Sequence, residues 1–270
     1  MKKFFTLTLM ALMTVTTALA QGKHTVCIGR FSGAGSISSG NVVALRNSVM
    51  TGLSNTGRLE LTDVTATDAG EGLEAEIRAA AGAGCAYLLK GNINTLTVTK
   101  KDKYYVCEVN YTLKVTDVKE EKVFSTETLT ASWHIGDTRD EAVAKALDKA
   151  ADSMKKYVND TFKTKAVVKS LDEVDKKKGA KTAYVSIGSA AGISAGQMFD
   201  IYKEIEVAGT KATKLIGAAK AKEVVADELT LVTITKGGKE VQEAFEAGET
   251  LTVETRARRP PLGGFSGILE

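Results

Sequence analysis

Glycine-rich loops are the residues of this chain whose type and spacing most resemble a chemical site, because such loops hold phosphate groups in many nucleotide-binding proteins. One lies in YVSIGSAAGISAGQMFDIYKE, residues 184–204, with glycines at 188, 192 and 196. A phosphate site needs a helix directly after the glycines, since the helix N-terminus supplies the amide donors. The residues after Gly196 alternate with strand spacing instead, and neither Gly-Lys-Ser/Thr nor GxGxxG occurs. We therefore predict a turn between two strands and no nucleotide site.

A second loop, GRFSGAGSISSGN at residues 29–41, is the better phosphate candidate because it lies between a strand pattern and a helix pattern. Its glycine spacing matches no named fingerprint, and no lysine follows it. We interpret it as a surface loop. A binding loop for a partner or a small anion is the alternative that stays open.

Residue types for nucleophilic or metal chemistry are sparse. Cys27, Cys85 and Cys107 contain no CxxC pair, and His24 and His134 lie far apart in the sequence. We interpret the cysteines as small buried apolar residues, with at least one of the three lacking an internal partner. His24 is near the expected mature N-terminus, where the chain is expected to be loose. We predict no catalytic, metal or cofactor site, and a protein that is not an enzyme.

The first 20 residues have the pattern of a secretory signal peptide. A basic MKK start precedes an uncharged, mostly apolar run that closes on Ala18-Leu19-Ala20. The pattern predicts a periplasmic protein that begins at Gln21, without lipid because no cysteine follows the cleavage site. Removing Lys2 and Lys3 leaves 34 of the 36 basic residues against 33 acidic ones, a net charge of +1. A chain this close to neutral has no excess of positive charge that would favour binding to nucleic acid.

The elements that would position any site fall into two groups. Residues 21–163 show strands alternating with helices up to residue 93, and then three long strands joined by hairpins. In the middle strand the odd positions from Tyr105 to Val115 are apolar, which is typical of a strand with one buried face. Thr138 and Glu141 form a capping box that is expected to open one helix ending near residue 162.

Residues 164–256 contain six short strand patterns and one helical pattern, at 239–248. Short strands at this spacing predict a small barrel or sandwich. Residues 257–270 carry two prolines, three glycines and no period, and are predicted to form a flexible tail. The fold class is therefore α+β, with an α/β domain at 21–163 and a second, independently folding β domain at 164–256.

Three segments carry a resemblance to a known family: GRLELTDV (57–64), AGCAYLLKGNI (83–93) and LKVTDVKEEKVFS (113–125). Residues 24–162 resemble the family of the curli-secretion protein CsgG. That family also includes the outer-membrane activators of penicillin-binding proteins and the middle domain of the flagellar H-ring protein, with a fold like the N-terminal domain of TolB. Residues 164–255 look like the C-terminal domain of the flagellar H-ring protein, an SH3-like β-barrel.

The resemblance implies a non-enzymatic, exported cell-envelope assembly or scaffold protein that acts through protein–protein contacts. Two alternatives stay open: a CsgG-like outer-membrane secretion-pore subunit that inserts hairpins, and, with least support, an envelope hydrolase. Protein partners in the envelope are expected and nucleic acid is not. A homo-oligomer and peripheral membrane association stay open. The apolar row at 105–115 is expected to pack on helices.

The last segment, RARRPPLGGFSGILE, is the candidate partner-binding site. Its candidate contacts are Arg256, Arg258, Arg259, Leu262 and Phe265, with the arginines meeting an acidic rim and Phe265 filling a pocket. A terminus without a role and a segment folded back on its own barrel are the alternatives.

Overall fold

The computed structural model of the protein describes residues 22–35, 37–65 and 72–257. The predicted signal peptide, residues 1–20, therefore lies outside the described residues. Within the described ranges, no helix combines the length and the apolar character needed to cross a membrane.

A mixed sheet forms the first half of the chain, with strand order β3-β1-β4-β5-β6. The first strand pairs in parallel with β3 and β4, whereas β4, β5 and β6 form an antiparallel ladder, and the short β2 pairs with β4. The strands are β1 (His24–Ile28), β2 (Ser32–Gly33), β3 (Leu59–Asp63), β4 (Tyr87–Lys101), β5 (Tyr104–Asp117) and β6 (Lys122–Gly136). The predicted change from alternating strands and helices to long hairpins is confirmed.

Helices cover this sheet unequally. Helices α1 (Ser39–Ser54), α3 (Arg139–Asp148) and α4 (Ala150–Thr161) share one core with the sheet, and α2 (Leu73–Gly82) packs over a smaller cluster that includes Cys27 and Leu88. In β5 the predicted apolar row packs into the larger core, with Tyr105 half-buried and the other members fully buried. The fully buried members are Cys107, Val109, Tyr111, Leu113 and Val115. The prediction that this row packs on helices is confirmed.

The single helix predicted after Thr138 is two helices. Thr138 caps the first helix as predicted, because its Oγ1 accepts from the Glu141 amide at 3.2 Å, whereas Glu141 Oε2 accepts from the amide of Asp137 (2.9 Å) and not from that of Thr138. The helix is interrupted at Lys149, where the hydroxyl of Ser48 from α1 donates to Asp148 O (2.9 Å) and accepts from Ala151 N (3.1 Å). A side chain inserted among the helix hydrogen bonds in this way breaks the helix.

A closed barrel forms the second half, with strand order β10-β13-β12-β11-β14-β7. Its core includes Phe199, Ile201, Val185 and Val253, all almost fully buried. The barrel strands are β7 (Lys165–Leu171), β10 (Thr182–Val185), β11 (Met198–Val207), β12 (Thr210–Ala226), β13 (Leu229–Lys236) and β14 (Leu251–Arg256). A small ribbon of β8 (Val174–Asp175) and β9 (Gly179–Ala180) and the helix α5 (Gly238–Glu246) complete this half.

The glycine loop at 188–196 connects two of these barrel strands. It contains a single 3-10 turn, Ser189–Ala191, and leads into β11 without a helix of its own. Gly192 and Gly196 have φ of +69° and +88°, a region that glycine adopts without a steric cost. The prediction of a turn between strands is confirmed.

A disulfide joins Cys27 in β1 to Cys85, just before β4, with the two Cα atoms 5.7 Å apart. All three cysteines are buried, as predicted, and Cys107 is the free one. The interpretation of Cys27 and Cys85 as simple apolar residues is wrong. Parallel pairing of β1 with β4 brings the two together across 58 residues, and no local pattern reveals that pairing.

Candidate functional site

The junction between the sheet half and the barrel is the part of the molecule with the most unusual polar chemistry. Helix α4 ends at Thr161 and β7 begins at Lys165, so only three residues connect the halves. Thr164, in this connection, donates its amide to Thr255 Oγ1 (2.9 Å), and its carbonyl accepts from the Thr255 amide (3.0 Å). Both threonines are almost fully buried.

Arg58 lies at the centre of the junction and is 2% exposed. Its Nη1 donates to Asn159 Oδ1 (2.8 Å), and its Nη2 donates to Phe162 O (2.7 Å) and Thr164 Oγ1 (2.6 Å). Among the described residues, no carboxylate pairs with this guanidinium, and its buried Nε has no acceptor. Burial lowers the pKa of Arg58 to about 10, because the charged form is poorly solvated there.

Two further contacts tie the barrel to this arginine. Gln197 Nε2 donates to Asn159 Oδ1 (2.8 Å) and lies 3.0 Å from Met198 O and 3.2 Å from Arg256 O. At Gly192 the backbones of the two halves touch, since an added Cβ would lie 2.1 Å from Gly57 O. The sheet half and the barrel are thus in direct contact through buried polar groups.

An open cleft runs along this junction as two adjoining cavities that share Lys155, Asn159, Ser194 and Gln197. The larger has a volume of about 1120 Å³ and the smaller, which Arg58 lines, about 230 Å³. We call the two together the junction cleft. The larger cavity is also lined by Met198, Asp200, Leu215, Ile216, Lys220, Lys236 and Arg256.

The charge of the junction cleft is predominantly positive. Arg256 Nε lies 2.7 Å from Asp200 Oδ1, so these two neutralise each other. Lys155, Lys220 and Lys236 form no ion pair within the described part of the chain. The result is a cleft with three unpaired ammonium groups next to a buried guanidinium.

The outer edge of the sheet is a second feature. Strand β6 is 15 residues long and, among the described residues, pairs with β5 alone. Val123, Phe124 and Ile135 on this strand are 55%, 47% and 69% exposed. Only Lys122 and Glu127 of the strand carry a full charge. We call this strand the β6 edge.

Of the candidate partner-binding residues, the structure places only Arg256, at the end of β14, where it pairs with Asp200. Arg258, Arg259, Leu262 and Phe265 lie outside the described residues. The partner-binding role of this set stays a prediction.

The earlier chemical candidates occupy structural positions. His24 is the first residue of β1, and its ring centroid lies 5.9 Å from that of Tyr87 and 5.7 Å from that of Phe162. The expectation of a loose segment there is therefore wrong. His134 is exposed on β6, with Ser132 Oγ 3.3 Å from its Nε2. In the loop at 29–41, Ser38 caps α1. The described part of the chain contains no group of three or more His, Cys, Asp or Glu side chains placed to hold a metal ion.

The sequence did not mark the junction residues. Arg58 stands directly before the strand pattern LELTDV, where an arginine is ordinarily a solvated strand end. Lys155, Lys220 and Lys236 come from α4, β12 and β13, and each is one lysine among many. The local feature that could have indicated the junction is GISAGQ (192–197), because this glycine turn places the polar Gln197 at the start of a strand.

Comparisons with known proteins give structural neighbours of low sequence identity. No family model and no curated protein matches the chain. The PelC dodecamer from Paraburkholderia phytofirmans is 15% identical, covers 52% of this chain and 91% of its own, and has a TM-score of 0.39. The lipoprotein GNA1162 from Neisseria meningitidis is 10% identical over 48% of this chain and 96% of its own (TM-score 0.35). The LpoB C-terminal domain from Escherichia coli is 11% identical over 42% and 84% (TM-score 0.31).

All three TM-scores are below 0.5, too low to establish a shared fold. The resemblance to the CsgG and flagellar H-ring families stays a prediction.

Proposed function

We propose that this protein is a non-enzymatic, exported scaffold or assembly protein of the cell envelope, and that it docks protein partners along the β6 edge. The observation that carries the proposal is the long sheet edge that no further described strand pairs with, and that has exposed apolar side chains at both of its ends.

An uncovered edge strand presents a row of backbone N–H and C=O groups that another strand can pair with. Monomeric proteins protect such edges with charges, prolines, bulges or short strands. The β6 edge has 15 residues, no proline and two full charges, and both of its register shifts relative to β5 lie near the strand ends. Main-chain hydrogen bonds to a partner strand would supply affinity, and Val123 and Ile135 would supply apolar contact area.

The Cys27–Cys85 disulfide supports the exported location. Disulfides form and persist in oxidising compartments such as the bacterial periplasm, and thiols in the cytosol are kept reduced. The signal-peptide pattern at residues 1–20 points to the same compartment.

The test of the docking edge is affinity purification from envelope extracts with the double variant Val123→Lys/Ile135→Lys. Lysine is a residue that protects natural edges, and both positions are exposed enough to accept it. The matched control is Val43→Lys/Val207→Lys, because both residues are 55% exposed and lie away from β6. We expect the edge variant to lose the captured partners and the control to keep them, with unchanged thermal melts. A partner set that is identical in wild type and edge variant would refute the proposal.

Extraction of envelope preparations distinguishes the scaffold from the secretion-pore alternative. A scaffold is released from envelope preparations by high salt or carbonate, and a pore subunit is retained. Solution mass measurements on the wild type and the edge variant show whether a second copy of the chain is itself the partner on β6, since the variant would then become monomeric.

A further inference from the structure

Arg58 is a buried cation without an acidic partner, and this is costly in a folded protein. Charged side chains that are almost fully buried are normally paired. Here three neutral oxygens accept from the guanidinium, and its Nε remains without an acceptor. The positive charge is therefore balanced by no anion within the described residues.

The junction cleft adds more positive charge beside this arginine. Lys155 comes from the sheet half and Lys220 and Lys236 from the barrel, and all three line the larger cavity without an ion pair. The one acid of that lining, Asp200, is held by Arg256. Four cations thus border the junction cleft, whose two lining acids, Asp200 and Asp152, pair with Arg256 and Lys149.

The backbone of the cleft also offers donors. The amides of Ser194 and Ala195, in the exposed turn before β11, donate to no acceptor among the described residues. Amides of a glycine-bearing turn are typical partners of phosphate oxygens. The turn and the lysines line the same cavity.

We propose that the junction cleft binds an anion that carries two or more phosphate groups. Lysine ammonium groups bind phosphate as point charges, and three of them from two halves of the chain suit a ligand with charges at more than one place. A volume of about 1120 Å³ is ample for a polyphosphate or for the headgroups of phospholipids. Arg58 does not contact the ligand, and its field from behind Asn159 raises the positive potential of the cleft. This inference does not depend on the docking role of β6.

The test uses inorganic tripolyphosphate and isothermal titration calorimetry on the mature chain. The cleft variant is Lys155→Gln/Lys220→Gln/Lys236→Gln, which removes three charges and keeps a polar side chain at each position. The control is Lys211→Gln/Lys214→Gln/Lys222→Gln, because these lysines are exposed on β12, have no ion pair and lie outside the cleft lining. Both variants have the same net charge.

We expect wild type and control to bind tripolyphosphate, and the cleft variant to bind it about ten-fold more weakly or worse, since it lacks the three ammonium groups that would pair with the phosphates. Cosedimentation with cardiolipin vesicles, whose lipid carries two phosphate groups, against phosphatidylcholine vesicles shows whether the ligand is a lipid headgroup or a free anion. If vesicle binding is lost in the same variant, the ligand is a lipid headgroup, and if only tripolyphosphate binds, it is a free anion. Equal weakening in both variants, or no binding of either probe by the wild type, would overturn the proposal.

Discussion

Reduction of the Cys27–Cys85 disulfide is the perturbation whose size follows most directly from the structure. The bond links positions 58 residues apart within the sheet half. A crosslink removes conformational freedom from the unfolded chain, and for a loop of this length the chain-entropy relation gives about 4 kcal/mol. Disulfides commonly contribute about 2–4 kcal/mol. We therefore expect the reduced protein to be less stable by about that amount.

Urea unfolding of the oxidised and reduced protein, followed by tryptophan fluorescence, measures the difference. Trp133 is the only tryptophan in the sequence and lies in β6, so its signal reports on the sheet half that contains the disulfide. For a slope of about 3 kcal/mol per molar urea, the midpoint should fall by roughly 1 M on reduction.

The Cys107→Ala variant is the control, because Cys107 is buried and unpaired and its removal excludes thiol exchange. It should show the same difference between its oxidised and reduced forms. Coincident midpoints for oxidised and reduced wild type would refute the reasoning, and would also remove the disulfide as support for an exported protein.

Three further predictions concern the junction. Arg58→Ala removes three hydrogen bonds that a charged donor makes to buried groups. It should lower the free energy of unfolding, measured by chemical denaturation, by about 2–4 kcal/mol, because part of the loss is offset when an unpaired charge no longer has to be buried. A decrease below about 1 kcal/mol would contradict this prediction. Gly192→Ala should destabilise the protein by more than Gly209→Ala, since both have positive φ (+69° and +78°) but only at Gly192 would the new methyl lie 2.1 Å from a backbone oxygen. A thermal melt compares the two glycine variants, and equal shifts would count against the contact. Burial, and then the nearby Arg58 charge, lower the pKa of His24 in the folded protein below its usual 6.5. The unfolded chain therefore binds a proton at this histidine more readily than the folded protein does, and the free energy of unfolding should fall as the pH drops below about 6.5. His24→Phe should flatten that part of a stability–pH profile, and an unchanged profile would exclude His24 as its source.

The parts of the fold that the sequence predicted are those in which the signal is local. Alternation between Tyr105 and Val115 identifies the buried face of β5, because successive side chains of a strand point to opposite faces. The strand spacing after Gly196 is enough to exclude a nucleotide-binding loop that opens a helix there, since the next eight residues already show strand alternation. Each of these predictions rests on fewer than about a dozen neighbouring residues.

The parts that the sequence did not predict depend on residues far apart in the chain. The break between α3 and α4 is caused by Ser48, about a hundred residues earlier. The partners of Arg58 lie 101 to 106 residues away, and Gln197 reaches Asn159 from 38 residues further on. The candidate cleft exists only after both halves have folded and met, so no spacing within either half indicates it.

The predicted boundary between residues 163 and 164 falls inside the buried part of the junction. Thr164 is 2% exposed, pairs through both backbone groups with Thr255, and accepts a hydrogen bond from Arg58 through its hydroxyl. Ordinary domain linkers are exposed, and few contacts are made across them. Here, any relative motion of the two halves would break all of these hydrogen bonds at once. The lysines of the two halves are consequently held at the lining of one cleft before any ligand arrives. A phosphate-bearing ligand would then bind without first ordering the junction, so little of its binding free energy would be lost to a conformational change.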